Sequence, residues 1–319
     1  MYRLTARIEI RAARLWVIDH VTEVEITRSI EDLTGTCKIT LPKKLKWDGA
    51  AEIPIECGNA VKVWLGYDDQ LALAFAGYVR EVGFKTPIVL QCEDDMFKLK
   101  QKTAAKKAYR SVTLSQLLTD QNTGYTLRVM GEQDLGQYRV KSDTVASLLG
   151  ELGQQGVKAF FRYEDGKPVL YCGVIFDRSV AISQVFSNGV NIISDSSLEQ
   201  QKASTMRIRL KAVSLMPNNK KKVKVEVGDA DGETRTIHTY NKNEAQLKAW
   251  AEQELKRIKR DGLKGSFTTF GHKLIERLDL IGLIIDGKKQ GVYQVQKNTI
   301  KYGTSGFRQE ITLGQRVRE

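Results

Sequence analysis

Apolar and polar residues alternate with a period of two along most of this chain, and the period lengthens to 3.6 in only a few places. Between Ala60 and Tyr67 the apolar positions are Val61, Val63 and Leu65. Asp68-Asp69-Gln70 then supplies a turn, Leu71 to Phe84 a long strand, Lys85-Thr86-Pro87 a second turn and Ile88 to Cys92 a closing strand. The same grammar returns about 220 residues later. Leu280 to Ile285 reads as a strand, Asp286 to Gly291 as a turn, Val292 to Tyr302 as a strand, Gly303 to Gly306 as a turn and Phe307 to Leu313 as a strand. Few residues are identical between the two sets, so the repeat is one of architecture: a duplicated meander.

Around these meanders the remaining elements fall into place. Thr22 to Thr27 and Gly35 to Leu41 alternate as strands, followed by an irregular loop from Pro42 to Cys57 that holds Trp47-Asp48-Gly49. At Asp94 to Tyr109 the composition turns Lys-rich and helix-compatible, which marks a boundary. Beyond it, Ser111 or Thr113 can cap a short helix carrying Leu114, Leu117 and Leu118, and Thr144 can cap another carrying Val145, Leu148, Leu149 and Leu152. Tyr125 to Met130 reads as a strand, and Lys158 to Tyr163 and Val169 to Val174 form a hairpin about Asp165-Gly166-Lys167. Strand grammar resumes from Phe176 with Gly189 to Ile193 and Ser204 to Val213. Lys222 to Val227 and Thr234 to Tyr240 are expected to pair across a Gly228 to Gly232 turn. Residues 243–261 form an amphipathic helix capped by Asn243, with Leu247, Trp250, Ala251 and Leu255 on one face. The pattern predicts a mainly β protein with an α+β insert, in which two similar small β-barrel domains (1–100 and 176–319) flank a small α+β domain (101–175).

Charge changes this picture in one respect. Of the net +12, residues 176–319 carry +10, with a dense run at Lys220, Lys221, Lys222 and Lys224. Such a face suits a nucleic acid, an acidic lipid or an acidic protein surface. No aromatic platform is interleaved with these lysines and no DNA-binding motif is present, so they are assigned to contact with a protein partner, with a basic nucleic-acid-binding module as the alternative. No apolar run approaches membrane-spanning length and the N-terminus lacks a signal-peptide core, so a chain made in the cytoplasm, with no membrane contact of its own, is expected. Cys37, Cys57 and Cys92 fall in phase with apolar strand positions and, with Cys172, read as small buried hydrophobes.

Catalytic chemistry is not expected, nor is a cofactor or metal. His20, His238 and His272 lack ligand spacing, and no GxSxG, HExxH or Walker motif occurs. Glu93-Asp94-Asp95 follows a strand end and reads as a solvated acidic turn.

Four pieces of sequence resemble the baseplate hub proteins of contractile phage tails, the late-control protein D and Mu-like tail hub family, and the related N-terminal hub part of VgrG. They are Ile26-Thr27-Arg28-Ser29 leading to Gly35 through Pro42, and Thr144 to Leu149 running into Gly156 to Phe161. The third is the helix end Gly262 to Phe267, and the last is Gly291 to Val295 with Gly306 to Leu313. Where such hubs place a Pro-Gly turn before the strand at Leu280, this chain has Ile275-Glu276-Arg277-Leu278-Asp279. The resemblance implies two tube-type barrels per chain and a homotrimer whose six barrels meet a hexameric tail tube protein. It also implies a trimeric central spike protein and other baseplate proteins as partners, and a structural role in the virion tail.

Overall fold

A computed structural model of the chain describes residues 3–43, 47, 53–83, 85–174, 181–216 and 222–318. The first part contains β1 (Leu4–Arg11), β2 (Leu15–Ile18), β3 (Glu23–Ser29), β4 (Thr36–Thr40), β5 (Ala60–Tyr67), β6 (Gln70–Gly83) and β7 (Val89–Glu93). The insert follows, with α1 (Met96–Gln101), β8 (Ala108–Thr113), α2 (Leu114–Asp120), β9 (Thr126–Met130), β10 (Asp134–Arg139), α3 (Val145–Gln154), β11 (Lys158–Glu164) and β12 (Lys167–Gly173). The last part contains β13 (Ile182–Ser187), β14 (Ile192–Gln201), β15 (Ile208–Leu215), β16 (Lys222–Gly228), β17 (Glu233–Tyr240), α4 (Glu244–Ile258), β18 (Gly262–Phe270), β19 (Leu280–Ile285), β20 (Lys288–Gly303) and β21 (Gly306–Arg318). The molecule is mainly β with an α+β insert, as the alternation predicts.

Both meanders form, and each first turn is a tight Asp-led pair. Asp68 and Asp69 have φ of 47° and 64°, Asp286 and Gly287 φ of 51° and 72°. Two consecutive left-handed residues match the twist of the flanking strands. The second turn is accordingly two residues long rather than six, and the strand resumes at Lys288. The 16 residues of β20 join the meanders into one thirteen-stranded sheet. Its first half pairs with β19 (Leu280 opposite Gln294) and its second half with β3 (Lys297 opposite Ser29 through Gly303 opposite Glu23), while β21 runs along its other edge.

Each half of this sheet surrounds its own core. Ile8, Val24, Ile39, Val63, Phe75 and Leu90 pack with Ile300, Tyr302 and Phe307 in the first, and Phe186, Phe267, Ile281, Tyr293 and Ile311 pack in the second. Neither cluster includes a helical residue, so each half buries its apolar face by curling upon itself. The insert has a third core, in which Leu117 of α2 and Leu148 and Leu152 of α3 meet Phe161 and Leu170. Its helices start as expected, with Thr113 Oγ1 accepting from the Gln116 N–H and Thr144 Oγ1 from the Ser147 N–H at 3.1 Å.

Two expectations change. β16 and β17 do not pair with each other. They flank β15 in a separate sheet, β16 antiparallel and β17 parallel to it. The strand with the most buried apolar side chains, Ile208, Leu210 and Ala212, takes the centre, and the connection from β16 to β17 passes around its start. A Cβ at Gly228 would lie 2.3 Å from the Ile208 carbonyl oxygen and one at Gly232 2.5 Å from backbone of Arg207, so this crossing requires glycine. α4, shorter than expected at Glu244–Ile258 and closed by an Asn243/Gln246 capping box, packs Leu247 and Ala251 on this sheet. Cys57 is exposed because it lies in a turn beyond any strand, whereas Cys37, Cys92 and Cys172 are buried.

Candidate functional site

The densest polar cluster lies where the three parts meet. Arg277, in the segment between β18 and β19, is 1% exposed, and its guanidinium touches every part of the chain. Nη1 donates to the Ser29 carbonyl at the end of β3 (2.9 Å), and Nη2 donates to Asp94 Oδ2 beyond β7 (3.3 Å) and to the Phe161 carbonyl in β11. The group also stacks over the Phe160 ring at 4.7 Å. Its neighbours continue the network. Arg162 of β11 donates to Asp279 Oδ1 at 2.6 Å and to the Arg277 carbonyl, and Arg28 of β3 lies 3.4 Å from Glu276 and donates to the Ala74 carbonyl. Three guanidiniums thus face three carboxylates, a balance that a desolvated cluster requires.

Asp94 is 2% exposed and Asp95 5%, so the acidic trio is a buried anchor and not the solvated turn that its sequence suggests. The Gly35 N–H donates to Asp94 Oδ2 at 2.7 Å and the Met96 N–H to Oδ1 at 3.1 Å. Burial pushes the Asp94 carboxyl up to about 6, against the pull of Arg277 and those two amides. Asp95 accepts from the hydroxyls of Tyr125 and Tyr163, which belong to the insert, and burial raises its pKa as well. Glu93 is held by Lys100 at 2.7 Å and by Arg80 at 3.6 Å. The Ile275–Asp279 segment, where the hub pattern has Pro-Gly, therefore supplies the central cation. Asn298 and Gln309 fasten it through hydrogen bonds to Ile275 and to the carbonyls of Phe270 and Lys273.

The surface offers two further features. Lys222 and Lys224 lie on β16, an edge strand, and project away from α4, while Val223, Val225 and Val227 face the helix. Lys220 and Lys221 lie outside the described residues. Lys222 approaches His238, whose pKa is lowered by burial and then by the cations of Lys222 and Lys158. Large exposed apolar side chains collect at strands with a single partner: Leu15 and Val17 on β2, Ile182 and Val185 on β13, and Ile193 on β14, with Val190 between the last two. Open edges bearing apolar groups are the usual sites of further association. The continuous apolar run Leu15-Trp16-Val17-Ile18 could have signalled this, since only Trp16 and Ile18 face the core and Leu15 and Val17 stand exposed on the other side of the strand. Among the described residues, no group of three His, Cys, Asp or Glu side chains could hold a metal ion, and no helix is long and apolar enough to cross a membrane.

No protein-family model matches the sequence, and no curated protein matches it. Solved structures do. The 43 kDa tail protein of prophage MuSo2 from Shewanella oneidensis aligns with a TM-score of 0.62 at 17% identity, over 97% of this chain and 96% of that one. A tail protein from Neisseria meningitidis MC58 aligns with a TM-score of 0.63 at 13% identity, with the same coverage of both chains. A chain of the Francisella PdpA–VgrG complex aligns at 0.60 and 10% identity over 98% of this chain and 58% of its own length. At these identities the likeness is one of fold, and this chain has, along nearly its whole length, the fold of a prophage tail protein and of a second bacterial tail protein.

Proposed function

We propose that the chain is a structural tail protein, the baseplate hub of a phage or phage-like particle, working in the virion tail without catalysis. The observation that carries the reading is the near end-to-end alignment with a prophage tail protein and a second tail protein, combined with two half-sheets that share β20. The two curled halves, with the insert as a third unit between them, correspond to the domains of residues 1–100, 176–319 and 101–175, the first half being completed by residues 297–307 of the last. A homotrimer presents six similar halves, which adapts a sixfold tail tube to a threefold central spike and leaves the insert for other baseplate proteins. The apolar edges at Leu15, Val17, Ile182 and Val185 are where halves of neighbouring chains meet. The basic face at Lys220, Lys221, Lys222 and Lys224 meets an acidic protein surface, since complementary potentials select partners during ordered assembly.

Electron microscopy of particles assembled with the spike and tube proteins tests this reading. A ring of three copies between tube and spike is the expected result; a sixfold ring of this chain or a stable dimer would count against it. Light scattering on co-expressed hub and spike should give a complex containing three chains of 35.9 kDa.

A further inference from the structure

Where β18 and β21 run side by side, their pairing extends from Phe270 opposite Arg308 to Ser266 opposite Thr312 and stops there. Beyond that point the strands separate, and residues 262–264 and 313–316 line a cleft of about 490 Å³. Side chains replace the missing ladder. The Leu263 N–H donates to the Tyr293 hydroxyl at 2.8 Å, and Arg316 Nη1 donates to the Asp261 carbonyl at 2.8 Å. Space for Arg316 is built in, since a Cβ at Gly291 would lie 2.5 Å from its Nε and one at Gly262 3.4 Å from its Cδ. That Nε is buried and has no hydrogen-bond partner.

The charges in the cleft are unevenly compensated. Lys158 pairs with Glu31 at 2.7 Å, Arg257 with Glu254 at 3.7 Å and Lys264 with Glu199 at 2.9 Å. Arg260 and Arg316 form no ion pair among the described residues, and both also line an adjoining cavity of about 400 Å³, which adds Arg318, likewise without one. Gln201, Gln296 and Gln315 supply amide donors and acceptors along the walls. Guanidiniums lacking carboxylates beside a row of amides match a chain that carries both carboxylates and peptide groups. A nucleic-acid strand fits worse. Glu31, Glu254 and Asp261 would repel a continuous phosphate backbone, and the Tyr293 ring, 1% exposed, offers no face for stacking.

We propose that this cleft binds an extended acidic polypeptide segment of a partner, with its carboxylates on Arg260, Arg316 and Arg318 and its backbone against the glutamine amides. The site is distinct from the β16 lysines and does not depend on the assembly reading, because it is tested on the isolated full chain. Fluorescence anisotropy would use a labelled, amidated peptide of about ten alternating Glu and Val residues, spanning roughly 30 Å when extended. A Lys–Val peptide and a single-stranded thymidine oligonucleotide of similar charge serve as comparisons. Saturable binding of the acidic peptide is expected, weakened about a hundredfold by Arg260→Gln with Arg318→Gln, because each of the two lost charge-assisted contacts is worth about tenfold. Both side chains are exposed, so folding is not at stake. Lys38→Gln with Lys62→Gln, exposed on β4 and β5 of the first half-sheet and outside both cavities, should leave binding unchanged. Absence of saturable binding, equal loss in this control variant, or oligonucleotide binding as tight and as sensitive to Arg260 would each overturn the proposal.

Discussion

Replacing Arg277 by Met removes a single charge, and its effect can be worked out from the junction. Met fills much of the same volume over the Phe160 ring, so packing is largely kept while the guanidinium is lost. Asp94 would remain buried as a carboxylate with only the Gly35 and Met96 amides, and the carbonyls of Ser29 and Phe161 would lose their donor. Removing one partner of a buried pair costs about 3–5 kcal/mol. Abandoned carbonyls are part of that figure and are not added to it, so a loss of about 4 kcal/mol is expected, against a typical total of about 5–15 kcal/mol. The loss should concentrate at the contact between the insert and the two half-sheets, because Arg277 is the group that touches all three. Urea unfolding followed by tryptophan fluorescence, with limited proteolysis alongside, can read this: earlier unfolding and cleavage near residues 94–104 or 174–181 are expected. Arg277→Lys should fall between the two, since an ammonium cannot serve Asp94 and two carbonyls with one planar fork. A loss below about 1 kcal/mol for Arg277→Met, or strict additivity with Asp94→Asn where coupling of about 1–3 kcal/mol is expected, would refute the reasoning.

Two further predictions concern charge. The Asp94 carboxyl titrates near 6 in the folded chain against an ordinary value of 3.8, so the folded state holds its proton more tightly than the unfolded state. Its contribution to stability is complete below that ordinary value and is lost as pH rises through about 6, by about 3 kcal/mol in all. Thermal unfolding of wild type and Asp94→Asn from about pH 4 to about pH 7 should diverge in favour of the variant as pH rises; parallel profiles would show that this group does not titrate there. Lys222→Glu with Lys224→Glu should change stability by less than about 0.5 kcal/mol, because both side chains are exposed, and on the proposed hub reading it should weaken incorporation into tails. Normal tail assembly combined with loss of salt-sensitive DNA binding would favour the nucleic-acid alternative for that face.

What the sequence reveals follows from how local its causes are. The meanders are legible because alternation and an Asp-led turn act within a few residues of each other. The β16–β17 pairing is misread for the same reason: two amphipathic strands joined by a few residues look like a hairpin, and nothing near them announces that β15 lies between. The junction is least legible. Asp94 and Arg277 are 183 residues apart, and each sits in a segment whose charge suggests solvent. Only the apolar neighbours Ile275 and Leu278, both buried, hinted that the segment around Arg277 turns inward.

Why such a charged group should stand in the centre of the molecule follows from what buried ion pairs do. Their net contribution to stability is small, since desolvation offsets most of the attraction, and an apolar cluster of equal volume would hold the parts together as well. Directional hydrogen bonds add one thing that apolar contact lacks: a guanidinium bonded to Ser29, Asp94 and Phe161 at once admits few relative placements of the elements that carry them. β20 fixes the two half-sheets to each other along one strand but leaves their curvature, and the seat of the insert, to be set by other contacts. In the proposed ring of three copies, a subunit must hold its two halves at one angle, because an error repeated around the ring prevents closure. The Arg277 cluster is placed to impose that angle, so on this proposal orientation, more than stability, is the property that its loss should disturb most.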